Sequence, residues 1–403
     1  MSRLRKQGRI THFVAALIIA TFGPSAHATL CGSTQYPFPF TDVGGVADAF
    51  CRGIMESYVL GVTLGTTATT FHPDQNVPRL QMTTFLQRSI DQGLKRSNRR
   101  GALGQWWTPK TSPGLRKTAL PGPGLASFCK ADGERVWVTN GSRLLSVLAS
   151  TGEIQANIDF GPGVDAKGLV IANGVALAVA PGSQRLIFAV PQREAPFHGS
   201  WGFQVVTYAP NAIAFDGDRL WTANYNDNSI TIRALVNGEP TGTSTEITAG
   251  FGVPLDVIFD GSNVWVADTG FDRLVKLDGN GAILQSVNVG FSPAYVAYDG
   301  ANIWVPGLTT NSITVVRAAT GAVVATIAGD ASNGLSSPVQ AAFDGERILV
   351  TNPGNHSVTL FRAADLSLIG NVALPAGSGP YGACSDGINF FVTLRGAKEL
   401  LRI

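Results

Sequence analysis

Histidine is scarce in this chain. Five of the 403 residues are histidine, and beyond residue 28 only His72, His198 and His356 remain, spread over three distant stretches. No cysteine pair, and no cysteine with histidine, has the spacing of a zinc site, so no metal or other cofactor is expected. The Gly-x-Ser-x-Gly elbow, the His-Glu-x-x-His helix and the Gly-rich Lys-Ser/Thr phosphate loop are all absent, which removes the best-marked hydrolase, zinc-protease and nucleotide-binding classes. Nucleic acid is not expected as a partner, because no basic stripe with interleaved aromatics occurs. Long apolar runs are also missing after Phe13 to Phe22, and that run is short against the roughly 20 residues of a membrane-spanning helix.

That run does have a reading. Arg3, Arg5, Lys6 and Arg9 precede it and Ala26-His27-Ala28 follows, the order of a secretory signal cleaved after Ala28. Four of the thirty cations lie there with no acid, so residues 29–403 carry 26 cations against 28 acids and the formal charge of +2 belongs to the leader. The chain is expected to be exported, with no transmembrane segment after cleavage. All four cysteines lie beyond the cleavage site, and an even count in an exported chain points to disulfides. Cys31 with Cys51 and Cys129 with Cys384 is the expected pairing.

What the sequence has in abundance is a repeat. Asp-Gly or Asn-Gly recurs at Asp132, Asn173, Asp216, Asp260, Asp299, Asp344 and Asp386, with gaps of 41, 43, 44, 39, 45 and 42 residues. Five residues after each stands Trp137, Ala178, Trp221, Trp265, Trp304, Leu349 or Phe391, and Pro210, Pro254, Pro293, Pro338 and Pro380 lie six before the last five. A period of about 40 to 45 residues with short β-runs marks a propeller blade, a unit that cannot bury its own faces alone. The fold class is therefore mainly β, a seven-bladed β-propeller over 115–403 preceded by a small α-helical module. Asp-Gly makes the turn between first and second strands of each blade, so these acids read as turn residues and not as metal ligands.

The last repeat stops one strand short. Ala119-Leu120-Pro121-Gly122 echoes Ala373-Leu374-Pro375 before the first repeat, which makes 115–120 the expected donor of the missing outer strand and the closure of the ring. The second repeat is irregular, with an excursion from Arg193 to Gly202 holding His198 and Trp201; drift and a functional loop both fit it. The residue two after each proline, Ala212, Asp256, Tyr295, Gln340 or Gly382, varies inside a constant frame, so Asp256, Tyr295 and Gln340 are candidates for binding a protein or glycan ligand on the funnel face. Ile348-Leu349-Val350-Thr351-Asn352 followed by Asn355-His356-Ser357-Val358-Thr359 resembles the NHL and YVTN propeller repeats, to which virginiamycin B lyase is related. That resemblance implies either a binding scaffold or a lyase acting from the funnel, with His356 as the candidate base; the residues themselves favour reading His356 as an exposed loop histidine, since no acidic or histidine partner is identifiable beside it.

Ahead of the ring, Phe50, Ile54, Tyr58 and Val59 fall at helical spacing, as do Met82, Phe85, Leu86 and Ile90. Phe40-Thr41-Asp42-Val43, Gly61-Val62-Thr63-Leu64-Gly65, Phe71-His72-Pro73-Asp74 and Val77-Pro78-Arg79-Leu80-Gln81-Met82 together resemble an S-layer homology (SLH) domain, taken here as 29–90. The resemblance implies attachment to cell-wall polysaccharide or peptidoglycan. The family's Thr-Arg-Ala-Glu stands here as Pro78-Arg79-Leu80-Gln81, and only one copy is present, where three are usual. Two roles fit Arg79: a bidentate polymer contact, or a helix-start arginine pairing with Asp74. Asp42 reads as a turn or cap residue. Residues 91–114 have linker composition; Trp106-Trp107 there suits docking on a domain surface or stacking on sugars, and Lys95, Arg96, Arg99 and Arg100 suit a solvated helix end or an anionic polymer.

Overall fold

The computed structural model describes residues 29–36, 39–59, 63, 66, 67, 69–75, 82, 116–172, 175–189, 201–205, 209–236 and 239–403. The leader, the linker with Trp106 and Trp107, the basic cluster, Arg79, Asn173 and His198 lie outside the described residues. The chain divides into two units, 1–108 and 109–403.

In the first unit a hairpin pairs Thr29–Cys31 with Thr34–Tyr36, and a helix runs Asp48–Val59. Its buried stripe is Cys51 and Ile54, with Tyr58 partly buried beside them, while Phe50, expected on that stripe, is exposed. Cys51, the next residue along, bonds Cys31 (Cα–Cα 5.7 Å) and faces the core with Ile54 in place of Phe50. The second expected helix lies outside the described residues.

The second unit is a ring of seven four-stranded antiparallel sheets. Inner strands are Ala126–Ala131, Leu169–Ala172, Ala212–Phe215, Pro254–Phe259, Ala297–Tyr298, Ala341–Phe343 and Pro380–Ser385, in blades 1 to 7. Each sheet runs outward in sequence order except the seventh, whose outer strand is Arg116–Ala119, paired with Glu399–Arg402. Lys117 Nζ meets Glu399 Oε2 at 2.9 Å, and Arg402 donates to the carbonyls of Ala149 and Ser150, tying blade 7 to blade 1. The same seam carries the Cys129–Cys384 disulfide between the two inner strands (Cα–Cα 5.6 Å).

The Asp-Gly turns have a second function that spacing alone did not show. In blade 3, Asp216 Oδ1 accepts the N–H of Asp218 and Arg219, while Oδ2 accepts the indole N–H of Trp221 at 2.7 Å. Asp260 and Trp265, Asp299 and Trp304, and Asp132 and Trp137 repeat this clasp at 2.7, 2.7 and 3.2 Å. All four tryptophans are fully buried between blades. Burying a ring of that size stabilises by about 3 to 5 kcal/mol, provided its N–H keeps a partner. Where tryptophan is replaced by Leu349 or Phe391, the second oxygen is taken by Arg347 Nε (2.8 Å) or Asn389 Nδ2 (3.2 Å). The turn glycines have φ from +87° to +108°, which side chains disfavour, explaining why Gly follows Asp.

Candidate functional site

The inner strands begin on one face of the ring and end at the Asp-Gly turns on the other. At their beginnings several strands are bulged, with register shifts at Pro254/Asp256, Pro380/Ala383 and Ala126/Cys129. A bulge re-aims side chains, and here it turns polar groups sideways onto the next blade. Asn211 Nδ2 donates to the Leu255 carbonyl at 3.1 Å, and Asp256 Oδ2 accepts the Val296 N–H at 2.9 Å. Tyr295 bonds its backbone to Val339 and Ala341, and Gln340 Oε1 accepts the Ala383 N–H at 3.0 Å. Thr393 Oγ1 then donates to the Ser127 carbonyl at 3.1 Å. These contacts form a polar belt from blade 3 through blades 4, 5, 6 and 7 to blade 1.

The three funnel candidates are thus brought together, but inside the channel and not on an open rim. Tyr295 and Gln340 are buried, and Asp256 is half-buried. Tyr295 stacks edge-on with Phe128 (4.6 Å) and Tyr381 (6.1 Å), its hydroxyl 3.3 Å from Asn211 Nδ2. With Leu255 and Val339 these rings plug the channel at the belt. Burial, with Tyr381 close by, pushes the Tyr295 phenol well above its usual pKa. Burial likewise pushes the Asp256 carboxyl up to about 6, against the opposing effects of the Val296 N–H and the Lys130 ammonium.

Beyond the plug, toward the Asp-Gly turns, the channel opens into a cavity of about 400 Å³. Lys130, Gln340, Phe215, Phe259, Tyr298 and Phe343 are among its walls. Nothing in the proline-based count pointed to Lys130. The available signal was the residue preceding each Asp-Gly, aromatic in blades 3 to 6 and small in blades 1 and 7.

His356 sits in the loop between second and third strands of blade 6 with φ +55°. Gln184, Asn228, Asp272, Asn311 and Lys398 occupy the same slot before the third strands of blades 2, 3, 4, 5 and 7, all with φ between +49° and +54°. Asn, Asp and His tolerate this left-handed region better than most side chains, so turn geometry accounts for the residue. The Gly379 N–H points at His356 Nδ1 at 3.4 Å, which leaves the ring proton on Nε2. On the same face, loops expose Tyr225, Phe271, Phe291 and Leu308.

In the N-terminal unit, Asp42 closes a loop by accepting the N–H groups of Phe71 (2.8 Å) and His72 (2.7 Å). Slight burial raises its pKa, the two N–H donors and the nearby His72 outweigh that, and the carboxyl lies below its usual value. Phe40 meets Tyr58 and Phe71 at 5.2 and 5.5 Å, forming a small aromatic core. A cavity of about 700 Å³ lies against Asp42, Phe50, Ile54, Phe71 and Asp74.

Residues 39–83 match the S-layer homology domain. Over 94 residues, 23% of its length, the chain is 36% identical to an endoglucanase of Bacillus sp. strain KSM-635, and it spans 10% of that protein. The wider structure is similar to a streptogramin B lyase, with TM-score 0.61, 14% identity, and 72% of this chain and 96% of that one covered. Virginiamycin B lyase from Staphylococcus aureus gives TM-score 0.61 at 13% identity, covering 72% and 98%. Kuenenia stuttgartiensis hydrazine synthase gives 0.58 at 18%, covering 74% and 98%. At such identities the likeness is one of fold, and chemistry has to be argued from the site. Among the described residues no helix is long and apolar enough to cross a membrane, and no group of three or more His, Cys, Asp or Glu side chains could hold a metal ion.

Proposed function

We propose that this is an exported, envelope-attached β-propeller binding protein, held at the cell surface by its SLH domain through contact with cell-wall polysaccharide or peptidoglycan. The match of residues 39–83 to the SLH domain carries this reading. The Cys31–Cys51 bridge supports it, since disulfides belong to oxidising compartments. In this reading Arg79 is the polymer contact, a guanidinium fork suited to carboxylate or phosphate groups. The ring then serves as a rigid display, and the exposed Tyr225, Phe271, Phe291 and Leu308 on its loop face suit a protein or glycan partner. Co-sedimentation with purified peptidoglycan and wall polysaccharide tests the anchor. The intact chain should pellet, while a chain beginning at Leu115 should stay in the supernatant and Arg79→Ala should pellet less; equal pelleting of the intact and shortened chains refutes it.

A second reading, a lyase acting from the loop face, rests on the fold shared with streptogramin-type lyases and on His356 as the candidate base, which would have to release Nδ1 from the Gly379 N–H. It requires loss of an intact lactone antibiotic in the presence of the protein and its abolition in His356→Ala.

A further inference from the structure

The cavity on the Asp-Gly side of the plug holds polar groups that the protein leaves unused. Ser385 and Tyr298 spend their hydroxyls on the carbonyls of Asn389 and Gly300. Lys130 differs: it lines the cavity, it is exposed, and no carboxylate lies within ion-pair distance of its ammonium. Gln340 commits its amide oxygen to Ala383, so its two N–H donors have no protein acceptor. Asp256 is not among the residues lining this cavity; its Oδ2 accepts the Val296 N–H at the belt. The cavity therefore offers a cation with no carboxylate within ion-pair distance and an amide donor with no protein acceptor around one space of small-molecule size, which spans roughly 300 to 1,000 Å³ in known sites.

The walls add a direction. Phe215, Phe259, Tyr298 and Phe343 each directly precede the Asp of their turn, so consecutive blades 3 to 6 place half-buried rings in an arc around the mouth. Ala131 and Ser385 hold that position in blades 1 and 7. Lys130 projects from blade 1, outside the arc. A ligand with an apolar body against the arc would turn an anionic end toward the lysine.

We propose that this cavity binds a small carboxylic acid with an apolar body. Its carboxylate pairs with Lys130 and receives the Gln340 amide, and its body lies against the aromatic arc. Donor-rich chemistry at one end selects the carboxylate, because a lysine ammonium and an amide N–H₂ both lack acceptors.

Titration calorimetry on the full chain tests this with three soluble probes: hydrocinnamate, 3-phenyllactate and phenylalaninol, which lacks the carboxylate. At least one of the first two should bind saturably, and phenylalaninol should bind at least about tenfold more weakly. Lys130→Met, a substitution at an exposed site, should weaken the acid about tenfold or more. The proposal is overturned if neither acid binds, if phenylalaninol binds as well as the acids, or if folded Lys130→Met binds like the natural chain. No wall polymer enters the experiment, so its outcome is independent of the anchoring result.

Discussion

Replacing Asp216 by alanine strips one carboxylate from three N–H groups and the Arg219 guanidinium at once. The backbone donors of Asp218 and Arg219 lie at an exposed turn, where water can replace the lost acceptor. Trp221 is fully buried, and its indole N–H has no such substitute. Orphaning a buried donor costs about 1 to 3 kcal/mol, and hydrogen bonds to a charged group lie toward the upper end. Asp216→Ala should therefore destabilise the ring by about 3 kcal/mol, some 2 kcal/mol of it through the indole. Trp221→Phe removes the donor itself, so in that background Asp216→Ala should cost only about 1 kcal/mol, giving a coupling of about 2 kcal/mol in a double-mutant cycle. The natural control is blade 6, where Asp344 meets Arg347 and the equivalent position is Leu349: Asp344→Ala with Leu349→Phe should show almost no coupling. Urea unfolding at pH 7 reads all seven proteins, provided the slope stays constant. A coupling for Asp216 and Trp221 below about 0.5 kcal/mol would falsify the clasp as the reason for the five-residue spacing. Acid offers a second readout. Burial raises the Asp216 pKa, but the indole, the two N–H groups and Arg219 bring it below the usual 3.8. A depressed folded-state value means this stabilisation is present above the unfolded value and fades as pH falls through the folded one, a fading that Asp216→Asn should lack.

Asp256 works in the opposite direction. Its folded-state pKa of about 6 exceeds the ordinary 3.8, so the folded chain holds the extra proton between about pH 4 and 6 and stability falls as pH rises through that window. Asp256→Asn should raise the melting temperature at pH 7, by the equivalent of about 1 to 3 kcal/mol, and leave it nearly unchanged at pH 4; an equal effect at both values would refute the burial argument. Reduction of the Cys129–Cys384 bridge, or its double replacement by alanine, releases a loop of 255 residues. The chain-entropy relation puts the loss at about 5 to 6 kcal/mol, seen as a fall in the ring's unfolding midpoint, and no fall would show that the seam is held by its other contacts. A chain beginning at Pro121 lacks the strand Arg116–Ala119 and exposes the edge Glu399–Arg402. Light scattering should show concentration-dependent self-association, abolished by adding the missing segment as a peptide.

The ring was legible because its punctuation is chemical. Asp-Gly marks a turn with positive φ, and the apolar residue five later marks the buried second strand, so period and blade number follow from counting. Cys129 and Cys384 precede the first and last of those turns, which in a closed ring makes them neighbours. The channel was less legible. Counting two residues from each proline picked Asp256, Tyr295 and Gln340, but position along a strand does not say where a side chain points when the strand begins with a bulge. A bulge at 254/256 turned Asp256 toward the next blade, while Tyr295 and Gln340, lying ahead of their inner strands, bridge to each other across blades 5 and 6. Likewise His356 drew attention as a rare residue type, whereas the slot it fills is set by backbone handedness and is shared with Gln184, Asn228, Asp272, Asn311 and Lys398. Phe50 and Cys51 illustrate the same limit on a helix, where spacing named Phe50 but the disulfide-bonded Cys51 beside it is the residue in the core.

The seventh sheet is assembled from residues 116–119 and 380–402. During synthesis, everything from the first blade to the sixth must wait, its two end faces unsealed, until residues 380–402 have been made. A chain cut between blade 6 and residue 402 would be not a slightly shorter protein but an open arc with sticky ends. Quality control on this molecule is thereby built into its arithmetic: only a chain that carries both halves of the seventh sheet can shut the circle.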